Sequence, residues 1–281
     1  MMNPRPAGTG IAWLIVSIIF LFLFITNSYH RIFPLSYRQS LSPGLDSYAA
    51  TLQQLDQAQT QIARREFVEL ATTEYLAASA YEWPETLTRI SYTDNWILWL
   101  ASFTDPLLHM LDLQDRQNRV FRNFESFKYE RALGRGFGIC SQQALGLADL
   151  LTSRYDIPTR MVGLDGHVIT EVMIDETTSV LADPSVGIVL PFAYTSINDN
   201  LDQIKTSYAA TPYPELADTY DASGNILSAY TGARAYAEPP IKQELIRWFE
   251  QVTDVLSILI SLVLSVTGFY RFRMTRNALT A

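Results

Sequence analysis

Three residues, each at the boundary of a secondary-structure element, carry the chemical content of this sequence. Cys140 is the only cysteine in the chain. It sits where a glycine-rich loop, Gly134-Arg135-Gly136-Phe137-Gly138, runs into a helical period. A helix start offers free N–H groups and the positive end of the dipole, which favour a thiolate nucleophile. His167 opens a strand straight after the Asp165-Gly166 turn, and Asp183 ends the next strand within Ala182-Asp183-Pro184. On adjacent antiparallel strands these two stand side by side, the carboxylate holding one ring nitrogen while the other faces sulfur. Read together, they are nucleophile, base and orienter in the order Cys, His, Asp. Taken singly, each has a plainer reading: a small buried cysteine, a structural histidine, an Asp-Pro turn. Their joint order is what points to chemistry.

The elements that must position them follow from periodicity. Over 140–155, Cys140, Ala144, Leu147, Ala148 and Leu151 share one helical face. After Ile157-Pro158, the stretches 160–164, 167–174 and 179–182 are rich in Val, Ile, Met and Thr and are separated by Asp165-Gly166 and Asp175-Glu176 turns, which predicts antiparallel strands. Upstream, 45–81 reads as one helix, with Leu52, Leu55, Ala58, Ile62, Phe67, Leu70 and Ala71 inward and Pro84 as its stop. A second helical stretch, 95–113, is broken at Asp105-Pro106. It is rich in Trp96, Leu98, Trp99, Leu100 and Phe103, which suit either a membrane-interface helix or a cover for the catalytic domain or the first helix. Residues 115–131 form a surface helix, and 206–240 reads as loop with a short strand at 225–230. The tyrosines in and around that loop (Tyr208, Tyr213, Tyr220, Tyr230, Tyr236) either pack the loop or line a groove. Helices followed by antiparallel strands is an α+β order.

Composition narrows the function class. The 281 residues carry 21 Lys+Arg against 29 Asp+Glu, a net charge of −8, which argues against a nucleic-acid binder. One cysteine and three histidines leave no material for a Cys-rich or all-histidine metal centre. Apolar residues reach 48% while charged ones are 18%, and the excess lies at the two ends. No charged residue occurs from Pro6 to Tyr29, and residues 8–27 span roughly 30 Å as helix, enough for a bilayer core. The poor cleavage site at Thr26-Asn27-Ser28 predicts an uncleaved signal anchor. A second segment, 255–270, is apolar all round but only about 24 Å long, so it should stand steeply or draw flanking residues towards the lipid. The arginines near the ends (Arg5, Arg271, Arg273, Arg276) lean towards both termini in the cytoplasm, with the middle of the chain outside.

The stretch from about 131 to 191 resembles the transglutaminase-like superfamily of papain-related cysteine enzymes. The likeness rests on Gly136-Phe137-Gly138-Ile139-Cys140, on Ile157-Pro158-Thr159-Arg160-Met161-Val162, and on His167-Val168-Ile169-Thr170-Glu171-Val172 followed by Asp183-Pro184. Ile169, and Val180-Leu181 before the aspartate, stand where the family often has aromatics. The resemblance implies an α+β core in which a Cys-bearing helix packs on an antiparallel sheet, with Cys140 as nucleophile, His167 as general base and acid, and Asp183 as orienter. It implies no cofactor and no metal.

Four regions follow: a transmembrane anchor (1–30), a helical region (31–127), a transglutaminase-like domain (128–240), and an amphipathic helix leading into a second span and basic tail (241–281). The expected activity is acyl transfer or hydrolysis on amide bonds of protein, peptide or cell-wall substrates, at the outer face of the inner membrane and periplasmic in a Gram-negative cell. The oxyanion needs the Cys140 N–H and a second donor, with Gln117, Asn118 and Tyr129 as candidates. Glu171 either borders the cleft or pairs with Arg160. Two rivals stand beside the enzyme: a catalytically silent domain serving as scaffold for envelope protein partners, and a metal site on Cys140, His167 and Asp183.

Overall fold

The computed structural model describes residues 8–32, 48–81, 92–101, 126, 128–221, 226–231 and 240–280. They form two compact units. The first gathers helices α1 (Gly8–Ile32), α4 (Tyr92–Ala101) and the part of α8 (Pro240–Thr280) from Trp248 onward. The second contains α2 (Tyr48–Ala58), α3 (Arg64–Ala78), β1 (Ala80–Tyr81) and all described elements from α5 (Tyr129–Arg135) to β7 (Ile226–Thr231). The helical region expected as one block over 31–127 is therefore divided. Its α2–α3 part packs with the sheet, and α4 packs with the apolar helices.

The second unit is α+β. Five strands form an antiparallel sheet in the order β6 (Ile188–Leu190), β5 (Ser179–Asp183), β4 (His167–Met173), β3 (Thr159–Leu164), β7. β3 and β4 are joined by Asp165-Gly166, where Gly166 takes φ 80°, a backbone that suits glycine. The sheet is covered on both faces, which is why β5 is buried at every position instead of alternating. On one face Val172, Val180 and Ala182 meet α2, α3 and the central helix α6 (Cys140–Asp149). On the other, Val162, Ile169 and Leu181 meet α7 (Leu201–Tyr208) and a 3-10 turn, Pro214–Asp221. Thr170 Oγ1 ties the sheet to α6 by donating to the Ala144 carbonyl at 3.1 Å.

Several expected boundaries move. The single helix expected over 45–81 breaks after Ala58, so that Leu52 and Leu55 of α2 fold back on Phe67 and Val68 of α3. It ends in strand β1 instead of running on to Tyr81. Gly134 and Arg135, expected in a loop, finish α5. Gly136 (φ 64°) provides the left-handed cap, and Phe137–Gly138 forms β2, parallel to β1. Within the region expected as loop from 206, α7 ends at Tyr208 and the 3-10 turn follows. Most of 102–127 lies outside the described residues, including Phe103, Asp105-Pro106, Gln117 and Asn118.

In the first unit α1 and α8 run antiparallel at close range. Ser17 Oγ donates to the Ser265 carbonyl at 2.8 Å, and a Cβ on Gly268 would lie 2.9 Å from the Trp13 carbonyl oxygen. Ser265 and Gly268 set this approach, as small residues do between apolar helices. The aromatic stretch of α4 packs on the first helix: Trp96 meets Phe20 edge-on at 5.8 Å and donates from Nε1 to Ser261 Oγ at 2.9 Å. Among the described residues, two helices are long and apolar enough to cross a membrane, over Ile11–Ser28 and Trp248–Asn277. The second window is 30 residues, not the short segment expected over 255–270, so no steep stance is required of it. With Cys140→Ser as background, a Ser17→Cys/Ser265→Cys pair should cross-link under mild oxidant. Adding Gly268→Leu should abolish the cross-link, as read by mobility on a non-reducing gel.

Candidate functional site

Cys140 is the first residue of α6, after Ile139 in extended conformation (φ −77°, ψ 175°). Two glutamines of the next turn fix that helix end. Gln142 accepts from the Ser126 N–H at 2.8 Å and donates to the Ser126 carbonyl at 2.9 Å. Gln143 donates to the Ser79 carbonyl at 3.0 Å. Polar side chains fully buried in an otherwise apolar helix need such partners, and here both partners are backbone of segments that approach the cysteine. Gly138 lets β2 pass close, since a Cβ there would meet Gln142 side-chain atoms at 2.8 Å. Cys140 as a residue is partly exposed.

His167 and Asp183 meet through sheet register. Thr170 pairs with Ala182, so one step further Asp183 faces Ile169 and is diagonal to His167 on the same face. His167 Nε2 and Asp183 Oδ2 are 2.7 Å apart, both side chains buried. Asp183 Oδ2 also accepts from the Tyr208 hydroxyl at 2.6 Å, and Oδ1 accepts from the Ser185 N–H at 2.9 Å. Burial alone would push this carboxyl up, but the His167 charge, these hydrogen bonds and the backbone N–H hold it below the usual carboxylate range.

With Nε2 committed to Asp183, the remaining ring nitrogen is the one available to sulfur. Nδ1 is buried and makes no hydrogen bond of good geometry. Cys140 nonetheless acts on the ring: burial disfavours the imidazolium, but Asp183 first and Cys140 after it outweigh that cost and push the His167 pKa up to about 10. The structure thus brings together the three residues singled out in the sequence.

The other expectations divide. Glu171 faces Arg160 in register and pairs with it through Arg160 Nε, so it is an ion-pair carboxylate and not a cleft wall. Ser179 Oγ (2.6 Å) and the Tyr194 N–H (3.0 Å) also donate to it. Burial works to raise the Glu171 carboxyl, but Arg160 and these donors hold it below its ordinary value. Stability from a depressed carboxylate is present above its unfolded pKa and lost as pH falls through the folded one. Glu171→Gln should therefore cost about 1–3 kcal/mol at pH 7, and the difference from wild type should shrink below about pH 4 in urea melts. Tyr129, a candidate oxyanion donor, belongs elsewhere. Its N–H donates to Asp149 Oδ2 at 2.9 Å and its hydroxyl accepts from Arg154 at 3.3 Å, at the far end of α6 from Cys140. Gln117 and Asn118 lie outside the described residues.

Two tyrosines carry site contacts that the sequence reading did not single out. Tyr208 stands among the loop tyrosines in the sequence, yet its hydroxyl meets the Asp183 carboxylate. Tyr81 lies in β1 opposite Gly138, two residues before Cys140, and packs edge-on against Tyr213 at 5.0 Å. Burial, then the charges of Cys140 and Asp183, push its phenol up to about 12, so it remains a donor at neutral pH. No periodic signal marks either residue, because each is placed by a contact across the fold.

Among the described residues, no group of three or more His, Cys, Asp or Glu side chains is arranged to hold a metal ion, which removes the support for the metal-site alternative. Comparison with family models, curated proteins and solved structures finds no match to this chain.

Proposed function

We propose that the chain is a membrane-tethered cysteine acyltransferase or amidase with a transglutaminase-like core, acting on amides of protein, peptide or cell-wall material. The single observation that carries this reading is His167: buried, paired through Nε2 with Asp183, with Nδ1 left for Cys140. Such a ring accepts the thiol proton at Nδ1, and the imidazolium is stabilised by the carboxylate behind it. The Cys140 sulfur attacks the amide carbonyl and forms the S–C bond. The carbonyl oxygen becomes an oxyanion, held by the Cys140 N–H and by the Tyr81 hydroxyl. Nδ1 returns its proton to the departing amine as the C–N bond breaks. Water or a second amine then gives up a proton to Nδ1, attacks the thioester, and releases the thiolate.

The two apolar helices supply the tether. Two such spans return the chain to the side it started from, and the arginines near the ends (Arg5, Arg271, Arg273, Arg276) favour the cytoplasm for that side, with the middle of the chain outside. Mixing the full chain in detergent with p-nitrophenyl acetate should release a burst of one equivalent of p-nitrophenol per chain, as the acyl group is trapped on sulfur. Cys140→Ala should give no burst, and an undiminished burst from that variant would exclude the assignment. Adding a primary amine after the burst distinguishes transfer from hydrolysis: faster turnover marks a transferase.

A further inference from the structure

We propose that Tyr208, backed by Tyr220, is a positioning residue of this site, a two-phenol relay that keeps the Asp183 carboxylate ionised and aimed at His167. The inference rests on the reading above and names what tunes that site. Tyr208 is fully buried at the end of α7, and its hydroxyl donates to the same Asp183 oxygen that binds His167 Nε2. A phenol has one proton to give. Since the Tyr208 proton goes to an acceptor-only carboxylate, the 2.7 Å contact between the Tyr208 and Tyr220 hydroxyls has Tyr220 as donor. The order is Tyr220 to Tyr208 to Asp183, each step polarising the next. Both phenols are protonated throughout the working range, because burial and the Asp183 charge push them well above the ordinary tyrosine value. The titratable groups around Asp183 are His167 on β4, Tyr208 on α7, Tyr220 on the 3-10 turn and Tyr81 on β1, with Cys140 at the head of α6 acting on His167 and Tyr81. Of these, Tyr208 alone shares the histidine-bound oxygen.

Removing that donor leaves a buried carboxylate with fewer hydrogen bonds, so it takes up a proton at higher pH and the imidazolium loses its partner. Tyr208→Phe should move the acid limb of the Cys140 alkylation rate with iodoacetamide up by about one pH unit. Tyr220→Phe should move it less, in the same direction. The double variant should move it about as far as Tyr208→Phe alone, because the Tyr220 hydroxyl reaches Asp183 by hydrogen bonding through Tyr208. A merely structural role would lower the melting temperature and leave the pH profile in place. If the wild type shows no alkylation advantage over an ordinary thiol at pH 6, the functional reading fails. If the wild type shows it and the profiles of both single variants superpose on it, the relay is overturned while the reading stands. Should Tyr208→Phe fail to fold, Tyr220→Phe decides: an unmoved acid limb overturns the relay.

Discussion

Asp183→Asn is expected to slow acylation of Cys140 by about 10³–10⁴-fold with little change in fold. The argument is one of donors and acceptors. Oδ1 must accept from the Ser185 N–H, so the amide oxygen is held on that side and the NH₂ is turned towards His167 and Tyr208. Nε2 then becomes an acceptor, the ring proton moves to Nδ1, and Nδ1 no longer takes the thiol proton. The opposite amide orientation sets NH₂ against the Ser185 N–H and costs stability instead. The sign of the pH effect follows. The imidazolium is present below its pKa, which lies near 10 because the Asp183 and Cys140 charges outweigh burial. With the carboxylate charge gone, burial lowers it, and the alkaline limb of the burst rate should move down by more than a unit. A limb that stays in place would show that the charge on Asp183 does not govern the ring.

Gly146→Ala carries the largest expected stability loss. A Cβ at this position, in the middle of α6, would overlap the Tyr75 hydroxyl, approach Tyr75 Cζ to 2.8 Å and Ala132 Cβ to 3.0 Å. Helix propensity alone would favour alanine by about 0.8–1.0 kcal/mol. Overlap in a packed core reverses that sign, with a net cost of about 2–3 kcal/mol or more. Tyr75→Phe removes the overlapping oxygen, so the double variant should recover part of the loss, giving a coupling of about 1 kcal/mol or more in urea melts. Additive costs would mean that the helix is not pressed against α3 as described.

How much of this was legible in the sequence depended on whether the signal was local. The strands β3 to β5 were readable because β-branched residues cluster between Asp-Gly and Asp-Glu turns, and α6 because its apolar face repeats from Cys140 onward. Cys140, His167 and Asp183 stood out for the same reason, each sitting at an element boundary. The break between α2 and α3 was not, because the helical period runs through Ala58 to Ile62 and only the packing of Leu55 on Phe67 and Val68 requires a turn there. The sequence marks Tyr208 only as one of several loop tyrosines and Tyr81 not at all, because their places are set across 25 and 59 residues of chain, by Asp183 and Cys140. Gln142 and Gln143 did leave a trace, two adjacent amides in an apolar helix, and that pattern flags a helix start fastened to neighbouring backbone.

The most direct test of the central claim, that His167 takes the Cys140 proton, is the rate of iodoacetamide alkylation of Cys140 against pH in the full chain and in His167→Ala. An ordinary cysteine is only roughly 0.3% thiolate at pH 6. The account predicts that the wild type reacts at least tenfold faster than His167→Ala at pH 6, with a rate nearly flat between pH 6 and 8. Two superposable profiles, each rising about tenfold per pH unit as a free thiol does, would contradict it.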